Sequence, residues 1–94
     1  DGVKVEDRNT GEEKILDVSG AFVYIGLVPN TEFLSGELEV DEDGFIKTDE
    51  KLRTSEEGVF AAGDVRRTPL RQVATAVGDG ALAAFSVREY LEEK

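Results

Sequence analysis

Residues 59–73 have the sequence VFAAGDVRRTPLRQV, which joins a short apolar run to a Gly-Asp pair, a loop and the start of a helical pattern. Val59–Ala62 has the length and composition of a short buried strand. Gly63 and Asp64 follow at the point where that strand would end, and Thr68-Pro69 indicates a loop. In open α/β sheets, ligands bind beyond the carboxyl ends of the strands, so this order makes Asp64 a candidate binding residue. The alternative is that Asp64 is only a turn residue after the strand.

One long helix is predicted from about Arg71 to Leu91. Apolar and small residues recur at spacings of four and three along one face, and polar residues occupy the other. The first face comprises Val73, Val77, Gly80, Ala84, Val87 and Leu91, and the second comprises Gln72, Thr75, Asp79, Ser86, Glu89 and Glu93. We expect the first face to pack tightly against a sheet. The start of the helix offers free N–H groups and a positive dipole end, which suit an anionic or electron-rich group.

The N-terminal part of the chain predicts a β-hairpin followed by a buried strand. Val3–Arg8 and Lys14–Val18 flank Asn9-Thr10-Gly11, and apolar residues alternate with polar ones as in a half-buried strand. Asn and Gly tolerate the positive φ angles of tight turns, which supports a hairpin here. Ala21–Ile25 is continuously apolar and predicts a strand that is covered on both faces.

The middle of the chain predicts a helical turn and a second hairpin. Thr31–Leu34 fits a single helical turn with Thr31 near its N-cap. Leu38–Val40 and Phe45–Thr48 flank Asp41–Gly44, in which Gly44 supplies the unusual backbone angle of a turn. The acidic turn does not predict calcium binding, because the spaced oxygen ligands and the closing Glu of an EF-hand are missing.

Composition excludes several classes of function. The chain has 94 residues, with 11 Lys+Arg against 21 Asp+Glu and a net charge of −10, which argues against a nucleic-acid or anionic-membrane surface. Cys and His are absent, so thiol catalysis, disulfides, thiolate or histidine metal sites and Ser-His-Asp triads are excluded. No apolar run approaches the roughly 20 residues that span a bilayer, and no signal peptide is recognisable, which favours a cytoplasmic location.

The net charge is concentrated in residues 1–63, which hold 16 acidic and 6 basic side chains, while residues 64–94 hold 5 of each. An acidic solvated face explains this distribution, and an acidic surface for a protein partner is the alternative. The chain begins at Asp1 and contains no Met. We therefore expect a fragment, a processed product or a shortened chain rather than a complete gene product.

Several motifs together carry a resemblance to a known family. Thr54–Val65 resembles the second flavin-binding motif of two-domain FAD/NAD(P)-linked disulfide reductases. Arg71–Val73, with Ala76, Gly78 and Gly80 after it, resembles the segment on the C-terminal side of this motif in low-molecular-weight thioredoxin reductases. Phe22–Gly26 with Pro29–Thr31 is similar to the motif where the family's chain returns from the NADPH domain. The resemblance covers essentially all 94 residues.

The resemblance implies an α/β fold divided between two domains. Residues 1–20 would be the closing β-hairpin of the NADPH-binding domain. Residues 21–94 would be the C-terminal half of a Rossmann-like, three-layer FAD-binding domain, with β-hairpins and one long C-terminal helix. Such a chain is incomplete on its own.

The resemblance also implies cofactor-binding roles for Gly63, Asp64, Val65, Arg71, Gln72 and Val73. In the family, the residue that matches Asp64 binds the ribityl hydroxyls of FAD. The residues that match Arg71, Gln72 and Val73 lie along the isoalloxazine edge, and the helix directs its positive end at N1 and C2=O. No residue of this chain is expected to be catalytic in itself, and no metal is expected.

The implied parent enzyme passes electrons from NADPH through FAD to a disulfide, such as that of thioredoxin. This chain has neither a G-x-G-x-x-G loop nor a C-x-x-C pair, so we expect the isolated chain to be inactive. Its expected partners are the remainder of the reductase, thioredoxin or a similar protein, and a second copy of itself in a homodimer. The alternatives are a ferredoxin–NADP reductase of thioredoxin-reductase type, a peroxiredoxin reductase, or a free-standing acidic interaction module. An upstream cysteine pair would separate the first alternative from a thioredoxin reductase.

Overall fold

A computed structural model describes residues 1–34 and 36–94. Along these residues the chain forms strands β1 (Gly2–Glu6) and β2 (Glu13–Asp17), two 3₁₀ turns at Glu32–Leu34 and Gly63–Val65, and helix α1 (Val73–Glu92). The predicted α/β class is confirmed. The second 3₁₀ turn is called the Gly63 turn below.

The predicted N-terminal hairpin is confirmed, but its predicted burial is wrong. Strands β1 and β2 pair antiparallel, with Val3 opposite Leu16 and Val5 opposite Lys14. The loop closes through a hydrogen bond from the Gly11 N–H to the Asp7 carbonyl oxygen (2.7 Å). Ile15 is nevertheless 74% exposed. The reason is that no other helix or strand among the described residues contacts this hairpin.

The two apolar segments predicted as buried strands do not form strands. Residues 21–25 have no regular secondary structure, and Phe22 and Ile25 are 88% and 94% exposed. In the second segment, Phe60 forms only an isolated bridge with Arg53, although Ala61 is buried. A strand needs neighbours for its backbone N–H and C=O groups, and the described residues supply no ladder for either segment.

A small core lies under the middle of the chain. Leu38, Ile46 and Ala61 are buried together, and Leu34 and Val65 pack against them. The second predicted hairpin does not form two strands. Its flanking segments pair only at Val40 and Ile46, in one antiparallel β-bridge.

Local contacts hold the turns around this core. The Asp41 carboxylate accepts hydrogen bonds from the N–H groups of Asp43 and Phe45. The predicted helical turn after Thr31 is present as the first 3₁₀ turn. The Thr31 hydroxyl donates to the Gly44 carbonyl oxygen at 2.7 Å, so this side chain ties the helical turn to the acidic turn that ends at Gly44.

Helix α1 has the predicted length, but it packs through the opposite face from the predicted one. Val73 and Val77, on the predicted packing face, are 82% and 67% exposed. Asp79 and Ser86, which the periodicity places on the solvent side, are half-buried and buried. Among the described residues, loops rather than a sheet cover the helix. The Asp79 carboxylate contacts the Gly63 N–H and Arg66, whereas the buried Ser86 hydroxyl has no hydrogen-bond partner there.

The chain is extended rather than compact. Its radius of gyration is 19.7 Å and its dimensions are 64 × 27 × 20 Å. A compact chain of this length would have a radius of gyration of about 12 Å. The described residues therefore do not enclose their own apolar segments, as expected for a chain that is incomplete on its own.

The loop from Asp49 to Arg53 is organised by one carboxylate. Oδ1 of Asp49 accepts the N–H groups of Lys51 and Arg53 at 2.9 Å, and Oδ2 accepts Nε of Arg53 at 2.6 Å. This arrangement holds Leu52 in a left-handed conformation (φ 63°) with its side chain 1% exposed. Desolvation alone would raise the pKa of Asp49, but the hydrogen bonds from Arg53 and Lys51 outweigh it and lower the pKa below the ordinary value of 3.8.

We expect Asp49→Asn to lower stability only where the carboxylate is ionised. Because the pKa of Asp49 is lowered by folding, its contribution is present above the ordinary value of 3.8 and is lost as the pH falls through the folded-state value. The loss at pH 7 should be no more than about 1 kcal/mol, because the side chain is partly solvated. The free energy of unfolding of the full-length polypeptide, measured from pH 3 to pH 7, tests this expectation. Asp43→Asn in the neighbouring turn is the control. A loss of stability in Asp49→Asn that is the same at every pH would contradict this expectation.

Candidate functional site

The Gly63 turn is hydrogen-bonded to helix α1 on one side and to the segment at Ile46 on the other. Gly63 has a φ of 86°, in the left-handed region that glycine adopts at least cost. Its N–H donates to Oδ2 of Asp79 in helix α1 at 3.0 Å. On the other side, the N–H of Ile46 donates to the Val65 carbonyl oxygen at 2.9 Å, and the N–H of Arg67 donates to the Ile46 carbonyl oxygen at 2.7 Å. The turn therefore holds Asp64 in a defined position.

Asp64 presents a free carboxylate to solvent. Its residue is exposed, and within residues 1–34 and 36–94 its carboxylate has neither a hydrogen-bond partner nor an ion-pair partner. Only its backbone carbonyl oxygen is engaged, by Nε of Arg71 at 3.0 Å. The side chain is thus available as an acceptor for hydroxyl groups.

Arg71 holds the loop that precedes helix α1. Its Nε donates to the Asp64 carbonyl oxygen at 3.0 Å, and its Nη2 donates to the Arg66 carbonyl oxygen at 3.1 Å. The guanidinium carbon also lies 3.6 Å from the ring centre of Phe45. A guanidinium stacked on an aromatic ring and bonded to two carbonyls is fixed in orientation. Arg71 therefore links the Gly63 turn to the start of the helix.

Helix α1 begins with unpaired donors. Gln72 is the N-cap, and its N–H donates to Oγ1 of Thr75 at 3.0 Å. The first helical hydrogen bond runs from the Ala76 N–H to the Gln72 carbonyl oxygen. Within the described part of the chain, the N–H groups of Val73 and Ala74 have no partner. They provide two donors at the positive end of the helix dipole.

These features share one open groove of about 480 Å³, called the Asp64 groove here. It is lined by Asp64, Arg71, Gln72, Val73, Ala76 and Val77. A second concavity of about 270 Å³ adjoins Asp64 from the other side and is lined by Leu27, Val28, Pro29, Asn30, Phe45, Asp64 and Val65. Four of the six predicted site residues thus line the Asp64 groove, Val65 lines the adjoining concavity, and Gly63 shapes the turn between them.

Sequence reasoning misses three residues of this region, namely Asp79, Arg66 and Phe45. Helical periodicity places Asp79 on the solvent-facing side of the helix, yet its carboxylate reaches the Gly63 turn. The sequence feature that could have indicated this contact is the position of Asp79 between Gly78 and Gly80. These glycines have no side chains to keep a loop away from the Asp79 carboxylate. The sequence pattern around Phe45 indicates only a strand residue.

Another concavity, of about 480 Å³, lies near the other end of helix α1. Its lining is mostly charged or polar and includes Arg53, Glu57, Tyr90 and Lys94. It contains none of the predicted site residues. No helix in residues 1–34 and 36–94 has both the length and the apolar character needed to cross a membrane.

Residues 1–80 match the family described as pyridine nucleotide-disulphide oxidoreductase. The match covers most of the chain, and the chain belongs to this family. Within the family, it is similar along nearly its whole length to thioredoxin reductases.

The individual relatives are much longer than this chain. It is 51% identical over 92 residues to a thioredoxin reductase from Listeria innocua, which covers 97% of this chain and 28% of that protein. The crystal structure of T. acidophilum thioredoxin reductase superposes with a TM-score of 0.78 at 47% identity, covering 98% of this chain and 30% of that one. A component of the alkyl hydroperoxide reductase of Pseudomonas aeruginosa is 46% identical over 90 residues, 96% of this chain and 17% of that protein.

Proposed function

We propose that this chain forms one side of the FAD site in a thioredoxin-reductase-like flavoenzyme, which transfers electrons from NADPH through FAD to a disulfide such as that of thioredoxin. The observation that carries the proposal is the Asp64 groove. It is lined by Asp64, whose carboxylate has no partner among the described residues, and by Val73 at the start of helix α1, where the N–H groups of Val73 and Ala74 also have none in that part of the chain. Similarity to thioredoxin reductases along nearly the whole chain supports the same proposal.

The donor set of the groove fits a flavin. Ribityl hydroxyls need acceptors, and Asp64 supplies a carboxylate without a partner among the described residues. The pyrimidine edge of a flavin carries acceptor atoms. The N–H groups of Val73 and Ala74 are donors that have no partner among the described residues. The small side chain of Ala76 lines the groove and permits close approach by a flat ring.

The residues of this chain bind and orient the cofactor. Asp64 accepts hydrogen bonds from the ribityl chain, while Arg71 holds the Asp64 backbone against the helix. The positive end of helix α1 would favour negative charge on a flavin ring held in the groove. When bound, FAD supplies a carrier that accepts a hydride and gives up electrons in pairs. The chain has no Cys and no His, so the thiol chemistry belongs to other parts of the enzyme.

Residues 1–20 belong in this proposal to the NADPH-binding domain, and residues 21–94 belong to the FAD-binding domain. The hairpin supports this division because no other helix or strand among the described residues contacts it. The remainder of the reductase covers the apolar segments around Phe22 and Val77, which are exposed here. We further propose thioredoxin or a similar disulfide protein as the partner, a homodimeric assembly and a cytoplasmic location.

The full-length polypeptide that contains this sequence tests the proposal. We expect it to carry bound flavin, to lose the visible flavin absorbance on addition of NADPH, and to reduce thioredoxin with NADPH. The similarity to an alkyl hydroperoxide reductase component makes the reduction of a peroxidase partner the second candidate function. Reduction of that partner without reduction of thioredoxin would favour the second candidate. A polypeptide that neither carries nor binds flavin would refute both.

A further inference from the structure

We propose that Asp79 is a positioning residue for the flavin site, which fixes the Gly63 turn relative to the start of helix α1. This inference rests on the proposed function, because it concerns the geometry of the same site. Asp79 does not line the Asp64 groove and is therefore not a cofactor contact in its own right. It acts through Gly63, the residue that immediately precedes Asp64.

One oxygen of Asp79 makes both relevant contacts. Oδ2 accepts the N–H of Gly63 at 3.0 Å and lies 3.0 Å from Nε of Arg66, with which it forms an ion pair. The turn and the helix are thereby joined on both sides of Asp64. A hydrogen bond to a charged acceptor is about twice as strong as a neutral one, so the bond from the Gly63 N–H is stronger than an ordinary turn contact. Arg66 adds an ion pair, although its Nε has no hydrogen-bond partner among the described residues.

Burial distinguishes this ion pair from the others in the described residues. The side chains of Arg66 and Asp79 are 18% and 19% exposed. The Arg88–Glu92 pair on the same helix is 74% and 61% exposed, and every other ion pair described has both side chains more than one third exposed. Exposed pairs contribute little, whereas removal of one partner from a shielded pair leaves the other uncompensated.

The position of Asp79 in the helix explains why the link affects the site. The two groups that would hold the flavin lie on separate elements, with Asp64 on the Gly63 turn and the free N–H groups at Val73 and Ala74. Asp79 lies less than two turns of helix after Val73 and bonds to the residue before Asp64. Its carboxylate therefore sets the separation between the acceptor and the donors. Arg71 provides a second link from the loop side.

The test uses the full-length holoenzyme with three variants. Asp79→Ala removes both contacts, Asp79→Asn keeps an acceptor for the Gly63 N–H, and Glu92→Gln removes an exposed ion pair on the same helix as the matched control. We expect Asp79→Ala to weaken FAD binding about threefold to tenfold and to change the visible circular dichroism of the bound flavin. Asp79→Asn should recover only part of the affinity, because it keeps the acceptor for the Gly63 N–H but leaves Arg66 without its ion-pair partner. Glu92→Gln should be unchanged, and the KM for NADPH should be unaffected in all three.

Unchanged FAD affinity and an unchanged flavin spectrum in Asp79→Ala, with equal losses of Tm in apo- and holoprotein, would overturn the inference. If Asp79→Ala does not fold, Asp79→Glu decides, because it keeps the charge but displaces the carboxylate by one methylene. Weaker FAD binding in Asp79→Glu supports the inference, and unchanged binding rejects it. A wild-type polypeptide that binds no flavin would instead refute the proposed function itself, so the two failures are distinguishable.

Discussion

The 94-residue chain on its own is expected not to bind FAD in the submicromolar range. Its Asp64 groove is open and is lined by one carboxylate and by the first turn of helix α1, where the N–H groups of Val73 and Ala74 have no partner among the described residues. Immobilising a ligand as large as FAD costs roughly 4–15 kcal/mol before any contact is counted. The chain contains no G-x-G-x-x-G loop to bind the pyrophosphate, so the contacts that remain cannot offset that cost.

Titration of FAD followed by flavin fluorescence measures this affinity. The full-length polypeptide is the matched control, since it contains the same groove together with the upstream sequence. We expect saturable binding by the full-length polypeptide and none by the isolated chain at micromolar concentrations. Submicromolar binding by the isolated chain would mean that the groove alone encloses the cofactor, which its open geometry does not support.

Asp64→Ala in the full-length polypeptide is expected to weaken FAD binding by about one to two orders of magnitude. This corresponds to the loss of roughly 1.5–3 kcal/mol for a hydrogen bond to a charged acceptor in an enclosed site. The contact from Arg71 is made to the backbone of Asp64 and persists in the variant. Since the carboxylate has no partner among the described residues, the stability of the apoprotein should hardly change.

Two further variants sharpen this experiment. Asp64→Asn keeps the shape and one acceptor oxygen, so its loss of affinity should be smaller than that of Asp64→Ala. Asp43→Ala removes an exposed acid from a different turn and should leave FAD affinity unchanged. Dissociation constants and melting temperatures of apo- and holoprotein are measured for all three. If Asp64→Ala lowers the Tm of apo- and holoprotein equally and leaves the affinity for FAD unchanged, Asp64 is a structural turn residue rather than a ligand.

Features encoded by neighbouring residues could be predicted from the sequence. Helix α1 follows from a periodic pattern sustained over twenty residues, and the first hairpin follows from a local turn signal. The candidate site was predictable for the same reason. The Gly63 turn, the loop and the helix start are consecutive in the chain, so their order brings Asp64 close to Val73.

Features that depend on distant residues could not be predicted in this way. The apolar run around Phe22 has the composition of a strand, but a strand forms only beside partners that the described residues do not supply. Helical periodicity distinguishes the two faces of α1 but does not say what covers each one. The contact between Asp79 and Gly63 joins residues that are 16 positions apart, and no local pattern encodes it.

The most direct test of the central claim is hydrogen–deuterium exchange of the full-length polypeptide with and without FAD. We predict slower exchange at the N–H groups of Val73 and Ala74, which lack partners in the described residues and would donate to the flavin. Exchange should also be slower in peptides from the Gly63 turn, while exchange in peptides from strands β1 and β2 should not change. Protection that appears around Tyr90 instead, with none at the start of helix α1, would contradict the assignment of the flavin to the Asp64 groove.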